Sequence, residues 1–181
     1  MPLAFPDPPL RDDMVVLRPW SMDDVPDLVR CCNDPEIHRW LSSMPAPYTE
    51  DDAVEFVATV ADKLRDDIVR FALADASTGA LWGGLGVRIV ADGVAQTGYW
   101  VAPDARGRGV ASRAATLASR WALRTLPIAR LQLFTDVDNH ASIRVAEHAG
   151  FVREGVLRNW HDNRGERRDV VMFSLVPQDV A

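Results

Sequence analysis

The sequence predicts an α+β domain with a single central sheet, mixed but mostly antiparallel and twisted, of about seven strands flanked by helices. Three observations predict it. Helical periodicity dominates the first third of the chain. Short extended runs then follow one another, separated by the turn signals Thr78-Gly79 and Asp92-Gly93. After Gly107 one long amphipathic segment appears, and further short strands alternate with a last short helix.

Residues 1–13, with Pro2, Pro6, Pro8 and Pro9, read as a flexible leader, and residues 14–181 as a single domain. Met14 to Arg18 is the first strand, stopped by Pro19, which fixes φ and lacks a donor. Ser21 caps a helix opening with Met22, Asp23 and Asp24, acids suited to its positive end, and Val25, Leu28 and Val29 share a face. Pro35, after Asp34, opens a short helix carrying Ile37, Trp40 and Leu41. Beyond a Pro-containing loop, Ser42 to Tyr48, Thr49 caps a third helix. In it Val54, Val57, Val60, Ala61 and Leu64 recur at helical spacing.

Ile68 to Ala74, Leu81 to Val90 and Ala95 to Val101 form an antiparallel meander. Val110, Ala114, Leu117, Ala118 and Trp121 make the apolar stripe of a long helix ending near Leu126. Ala129 to Thr135 is a buried strand, and Ser142 to His148 a short helix stopped by Gly150. Phe151 to Leu157 and Val170 to Leu175 close the sheet around a polar loop, Asn159 to Arg168.

Composition narrows the function. The chain has 181 residues, 48% of them hydrophobic, which suffices for one core. A net charge of −6 argues against non-specific binding to nucleic acid or anionic membrane, and still permits a local basic pocket. No apolar run approaches the roughly 20 residues of a membrane helix, and the N-terminal stretch lacks the regions of a signal peptide. Cys31 and Cys32 are adjacent, a spacing that favours neither a disulfide nor a metal site. A cytoplasmic chain without a metal is expected.

The sharpest feature is Tyr99-Trp100-Val101-Ala102-Pro103-Asp104-Ala105-Arg106-Gly107-Arg108-Gly109-Val110-Ala111. A strand ends, a short loop turns and a helix begins at small residues. The first N–H groups of a helix lack intrahelical partners and the dipole adds positive potential, which makes an anion site. Gly107 and Gly109 let a phosphate approach the backbone, and Arg106 and Arg108 can add charge-assisted bonds. No Gly-Lys-Ser/Thr follows and the third glycine of a dinucleotide fingerprint is missing, so this is neither a P-loop nor a Rossmann turn. A plain strand–helix connection is the other reading of the same residues.

Arg106-x-x-Gly109-x-Ala111 resembles the Gln/Arg-x-x-Gly-x-Gly/Ala signature of the GNAT superfamily of acetyltransferases. Asn139-x-x-Ser142, opening a helix that ends in Gly150-Phe151, is similar to that family's second conserved block. Leu17-Arg18-Pro19-Trp20 and Asp169-Val170-Val171-Met172-Phe173 resemble the ribosomal-protein N-acetyltransferase (RimJ/RimL-type) subgroup. The resemblance runs from about Val15 to Leu175. It implies acetyl-CoA as cosubstrate and no metal. Backbone amides across Gly107, Arg108, Gly109, Val110, Ala111 and Ser112 would hold the pyrophosphate. Pantetheine would add to the strand edge at Tyr99, Trp100 and Val101, where a main-chain N–H near Trp100 or Val101 would polarise the thioester carbonyl. Asn139 would orient the pantetheine arm, and Ser142 would donate to the departing thiolate. Trp40, Tyr48 and Trp160 would wall the acceptor cleft, and a homodimer is implied by resemblance alone. Each residue also has a plainer role: strand aromatics as core, Asn139 as a helix cap, Ser142 bonded to its own backbone.

The sequence departs from the family pattern where a base or acid is often found. A tyrosine of some relatives is replaced by Ala146, and a strand glutamate of others by Gln96. Phe134 stands where a third group holds a base. Asp34, Glu36, Glu166 or a water stay open as the base, and His140 reads more readily as a solvated loop residue. A peptide α-amine, with pKa near 7.7–8.0, is about one tenth neutral at pH 7, whereas a lysine amine near 10.4 is neutral to less than about one part in a thousand. The expected reaction is therefore direct transfer of acetyl from acetyl-CoA to a peptide N-terminal α-amine. A small-molecule amine acceptor and a non-catalytic CoA-binding domain are the alternatives.

Overall fold

A computed structural model gives the structure, which describes residues 3–60 and 67–180. The expected helix positions Ala61 and Leu64 lie outside the described residues.

Strand β1 (Leu10–Arg11) and strand β2 (Val15–Arg18) open the fold. A 3₁₀ turn (Met22–Asp24) leads into helix α1 (Val25–Cys32), followed by α2 (Pro35–Trp40) and α3 (Glu50–Val60). The predicted caps are in place. The Ile37 N–H donates to Asp34 Oδ1 at 3.1 Å, and Thr49 and Asp52 bond reciprocally, the Thr49 N–H reaching Asp52 Oδ2 at 2.8 Å. Asp24, almost fully buried, accepts from the Ser21 N–H at 2.9 Å and pairs with Arg18 at 2.7 Å, fixing the chain's exit from β2.

The meander follows as β3 (Ile68–Asp75), β4 (Leu81–Ala91) and β5 (Val94–Val101). Then come α4 (Val110–Thr125), β6 (Arg130–Asp136), α5 (His140–His148), β7 (Val152–Asn163) and β8 (Glu166–Leu175). The eight strands form one sheet in the order β1-β2-β3-β4-β5-β6-β8-β7. Every neighbouring pair is antiparallel except β5 and β6. Among the described residues no helix is long and apolar enough to cross a membrane.

Both faces of the sheet are covered. On one, Phe71, Leu73, Val87, Leu131, Leu133 and Phe173 pack with the α4 stripe of Val110, Ala114, Ala118 and Trp121. Trp121 meets Phe71 edge to face at 5.5 Å, an arrangement that contributes about 0.5–1.5 kcal/mol beyond area burial. On the other face α1 and α3 bury Val25, Leu28, Cys32, Ala53, Val57 and Val60 around Trp20, Ala72 and Leu81.

The structure corrects four local expectations. Residues 3–13 are not a loose leader: Leu3 is buried, Phe5 meets Phe71 edge-on at 5.5 Å, and β1 adds an eighth strand. Their apolar side chains finish the core beside β2, which the prolines alone do not reveal. Val54 is exposed and Ala53 buried, because the inward stripe of α3 runs through Ala53, Val57 and Val60 at i, i+4 and i+7, and Val54 lies off it. Helix α5 begins at His140, before Ser142. The expected loop from Asn159 to Arg168 is a hairpin, β7 running to Asn163 and β8 starting at Glu166 around Arg164-Gly165, both at positive φ. Its side chains are mostly exposed on both faces, so no apolar alternation marks it.

At β5 the sheet is unusually tight. A Cβ placed on Gly83 would stand 2.2 Å from the Trp100 carbonyl oxygen, backbone that cannot give way. Gly83→Ala is expected to lower stability by about 2–3 kcal/mol. Gly86→Ala, whose Cβ would meet nothing closer than 3.8 Å, stays within about 0.5 kcal/mol of wild type in the same urea titration.

Candidate active site

The turn after β5 joins the sheet to α4. Gly107 and Gly109 adopt φ of 73° and 80°, the left-handed region that glycine enters without strain. Gly109 is the N-cap of α4, and no side chain caps that end. The first backbone bond into the helix runs from the Arg113 N–H to Gly109 O at 3.1 Å. The amides of Val110, Ala111 and Ser112 precede it, and these residues line a cavity of about 500 Å³. An uncapped helix start facing open space fits a diphosphate.

The second determinant is a parting of strands. β5 and β6 pair only over Val94–Gln96 and Arg130–Gln132. Beyond that point β5 stays with β4 as far as Val101, and β6 stays with β8 as far as Asp136. A smaller cavity of about 200 Å³ fills the gap. Trp40, Leu41, Tyr99, Asn139 and Ser142 line both cavities, so the two are continuous. The Ala102 N–H donates to Trp82 O on β4 at 2.8 Å, and the Val101 carbonyl accepts from Arg106 Nε on the opposite side at 3.2 Å. Strand alternation therefore turns the Val101 N–H away from β4, toward the gap, and leaves that of Trp100 inside the sheet.

At the junction Asn139 is the N-cap of α5, accepting the Ser142 N–H at 3.0 Å, and its Nδ2 group is left over. The Tyr99 hydroxyl lies 2.8 Å from Ser142 Oγ and 3.3 Å from Ser142 O. Burial pushes the Tyr99 phenol up to about 12, against the lowering effect of the Ser142 bond. A neutral phenol and a serine hydroxyl thus form one donor chain where the strands part. The sequence offered Tyr99 as a strand-edge residue or as core; its bond to Ser142, 43 residues away, is legible only in the fold.

Other expected positions fall differently. Arg106 is committed to Asp34, at 2.5 Å, which ties α2 to the glycine turn. Burial raises the Asp34 carboxyl, but the Arg106 guanidinium and the Ile37 amide together hold it below the usual range, so it is poorly suited to take a proton. Arg108 turns away from the cavity and lies 4.4 Å over the Trp82 ring, because the cation gains more from that aromatic face than from open solvent. Trp40 does wall the cleft. Tyr48 does not: it is 7% exposed, within the core between α1 and α3, and burial pushes its phenol up to about 12. Trp160 is 48% exposed and reaches the cleft only through Phe134, with ring centroids 6.5 Å apart.

Two residues that sequence reasoning missed stand in the gap. His161 Nε2 is 2.7 Å from Asp136 Oδ1, and both residues line the inner cavity. They come from β7 and β6, 25 residues apart, with β8 between those strands in the sheet. No spacing rule in the sequence joins them.

A family model for the acetyltransferase (GNAT) domain matches residues 14–152. Over 176 residues the chain is 26% identical to the uncharacterized N-acetyltransferase p20 of Bacillus licheniformis, covering 95% of this chain and 98% of that protein. Over 75 residues it is 31% identical to spermidine N(1)-acetyltransferase of Escherichia coli, covering 41% of this chain and 40% of that enzyme. The structure of Mycobacterium smegmatis RimJ in complex with CoA-disulfide matches with a TM-score of 0.82 at 22% identity, over 92% of this chain and 83% of that one. At that identity the likeness speaks to the fold.

The two tyrosines of the chain both carry phenols pushed up to about 12. A folded phenol that holds its proton more tightly than the unfolded one contributes stability that is full below about pH 10 and is lost as pH rises toward about 12. An absorbance titration of phenolate should show no step near pH 10 in the folded chain. Tyr99→Phe should halve the amplitude of the late step.

Proposed function

The chain belongs to the GNAT acetyltransferase family and is an acetyl-CoA-dependent N-acetyltransferase; from that premise we propose that its acceptor is the N-terminal α-amine of a protein or peptide. One observation carries the proposal. A continuous cavity runs from the uncapped start of α4, past Asn139 and Ser142, into the gap between β5 and β6. Two ligands can lie in it end to end, and direct transfer in a ternary complex follows.

Acetyl-CoA supplies the activated acyl group as a thioester. The amides of residues 107–112 hold its diphosphate, with Gly107 and Gly109 keeping Cβ atoms out of the way. Asn139 Nδ2 steers the pantetheine arm along the free edge of β5. The Val101 amide donates to the carbonyl oxygen as negative charge grows on it, a contribution of about 3 kcal/mol for such a donor. Ser142, backed by the Tyr99 hydroxyl, delivers a proton to the departing sulfur. Neither cysteine lines the cavity, and burial pushes their thiols up to about 11 and 12, which disfavours an acyl-cysteine route.

The inner cavity favours a singly charged amine. Among the described residues Asp136 is the one carboxylate on its wall, and it is already paired with His161. A polyamine carries several cations and calls for several carboxylates. The α-amine also enters with about a tenth of its population neutral at pH 7, far more than a lysine side chain.

Thiol release should be measured with acetyl-CoA and three acceptors: a peptide with a free N-terminus, an N-blocked peptide containing lysine, and spermidine. The free N-terminus is expected to give the highest kcat/KM, and preference for spermidine or lysine overturns the assignment. With the working acceptor, Ser142→Ala is expected to lower kcat about 100-fold. Coenzyme A at 100 times its Kd should stabilise the wild type by about 2.7 kcal/mol. Gly109→Val, strained at φ 80°, should remove that gain in a thermal melt.

A further inference from the structure

Asp136 is 8% exposed, and its Oδ2 is buried with no hydrogen-bond partner. A carboxylate oxygen left so costs more than a neutral group would, about 1–3 kcal/mol or above, unless a donor completes it. The group lines the inner cavity. Its other oxygen, Oδ1, accepts from His161 at 2.7 Å. That bond to a carboxylate assigns the imidazole proton to Nε2 and leaves Nδ1 as a lone-pair acceptor with no partner among the described residues. Phe134 lies against the imidazole at 5.7 Å between ring centroids and holds its plane.

Arg168, opposite His161 on β8, pairs with Glu166 at 3.1 Å through one terminal nitrogen, and its Nε is buried without a hydrogen-bond partner. Helix α2 meets the hairpin where Asn163 Nδ2 donates to the Arg39 carbonyl at 3.1 Å, and there Glu36 and Arg39 pair with each other at 3.7 Å. The free His161 nitrogen, on the ring edge away from Asp136, is thus an acceptor left for a ligand in the gap.

We propose that His161 Nδ1 is the seat of the acceptor amine and takes its proton, with Asp136 behind the ring as the positioning residue. The inference rests on the α-amine reading, since about nine tenths of such an amine is still ammonium at pH 7. The ammonium gives one proton to His161, which passes it to solvent. The neutral nitrogen attacks the thioester carbon, the C–N bond forms and the C–S bond breaks. The sulfur leaves with the electron pair of that bond and gains a proton through Ser142, while the new amide nitrogen sheds its second proton. The net change is one amide, one thiol and one proton released. Asp136 fixes the imidazole tautomer and stabilises the imidazolium, the role of a buried carboxylate behind a catalytic histidine.

The test uses His161→Gln and Asp136→Asn with the acceptor that the wild type turns over fastest. Neither residue lines the outer cavity, so both variants should keep the coenzyme A melting shift, which reports their folding. His161→Gln is expected to lower kcat about 100-fold, leave the KM for acetyl-CoA unchanged and abolish the limb of the pH–rate profile that reports an imidazole. Asp136→Asn, which removes the control of the imidazole tautomer, is expected to lower kcat at least about tenfold and to leave the KM for acetyl-CoA unchanged. A His161→Gln enzyme with wild-type kcat and pH profile overturns the seat while leaving the proposed function intact. Should the wild type acetylate none of the acceptors, the proposed function falls, and the seat is judged by binding alone. Ethylamine is then titrated into the coenzyme A complex while the His161 imidazole is followed by NMR. A shift in the wild type that Asp136→Asn lacks supports the seat, and a wild-type resonance that does not move overturns it.

Discussion

The site depends on strands β5 and β6 pairing for three residues and then separating. Two parallel strands that stayed together to their ends would satisfy each other's backbone groups and close the sheet. Here the outer half of β5 keeps only one neighbour, β4, so the edge that carries the Val101 amide has no sheet partner. Buried backbone groups without partners are costly, and an extended ligand lying along the edge is one way of satisfying them. The gap also explains why both cavities meet at Tyr99, Asn139 and Ser142: these residues surround the point where the strands part.

The rest of the architecture keeps that gap open. On one side Gly83 and Gly84 let β4 approach β5 closely, and Trp100 stacks on Trp20 with ring centroids 6.5 Å apart. On the other side β8 holds β6 along six register pairs, and the Arg130–Glu154 pair at 2.5 Å links β6 to β7 across it. The Glu154 carboxyl is held down to about 2 by the Arg130 guanidinium and the Ser174 hydroxyl. Helix α2 closes the top through Asp34 and Arg106, so an ion pair far apart in sequence aligns the cleft wall with the glycine turn. Arg106 lines the outer cavity, and its charge also braces the loop.

Much of this was legible in the residues. Periodicity and caps located the helices and most strands to within a few positions, β1 and the β7–β8 hairpin excepted, because the sheet buries alternating residues and the helices bury one stripe. Tyr99-Trp100-Val101 and Gly107 to Ser112 declared a strand end and a helix start with free amides, since glycine at positive φ and an uncapped end are local properties. The misreadings have a common cause. Tyr48, Arg108 and Trp160 were assigned by their segments, but where a side chain points depends on what packs beside it: the α1–α3 core, the Trp82 ring and the Phe134 ring in turn. The β7–β8 hairpin and the packed N-terminal residues escaped for the same reason, as exposed strands show no alternation and a short edge strand shows no run.

What the sequence determined alone was the chemistry written in consecutive residues: element type, the glycine turn, the Asn139-x-x-Ser142 helix opening, and through them the family. Tertiary structure alone decided the partnerships, Tyr99 with Ser142, Asp34 with Arg106 and Asp136 with His161. The reason is physical. Backbone preferences act over a few residues, whereas a hydrogen bond between side chains 25, 43 or 72 positions apart exists only after the sheet order and the strand gap have set their distance.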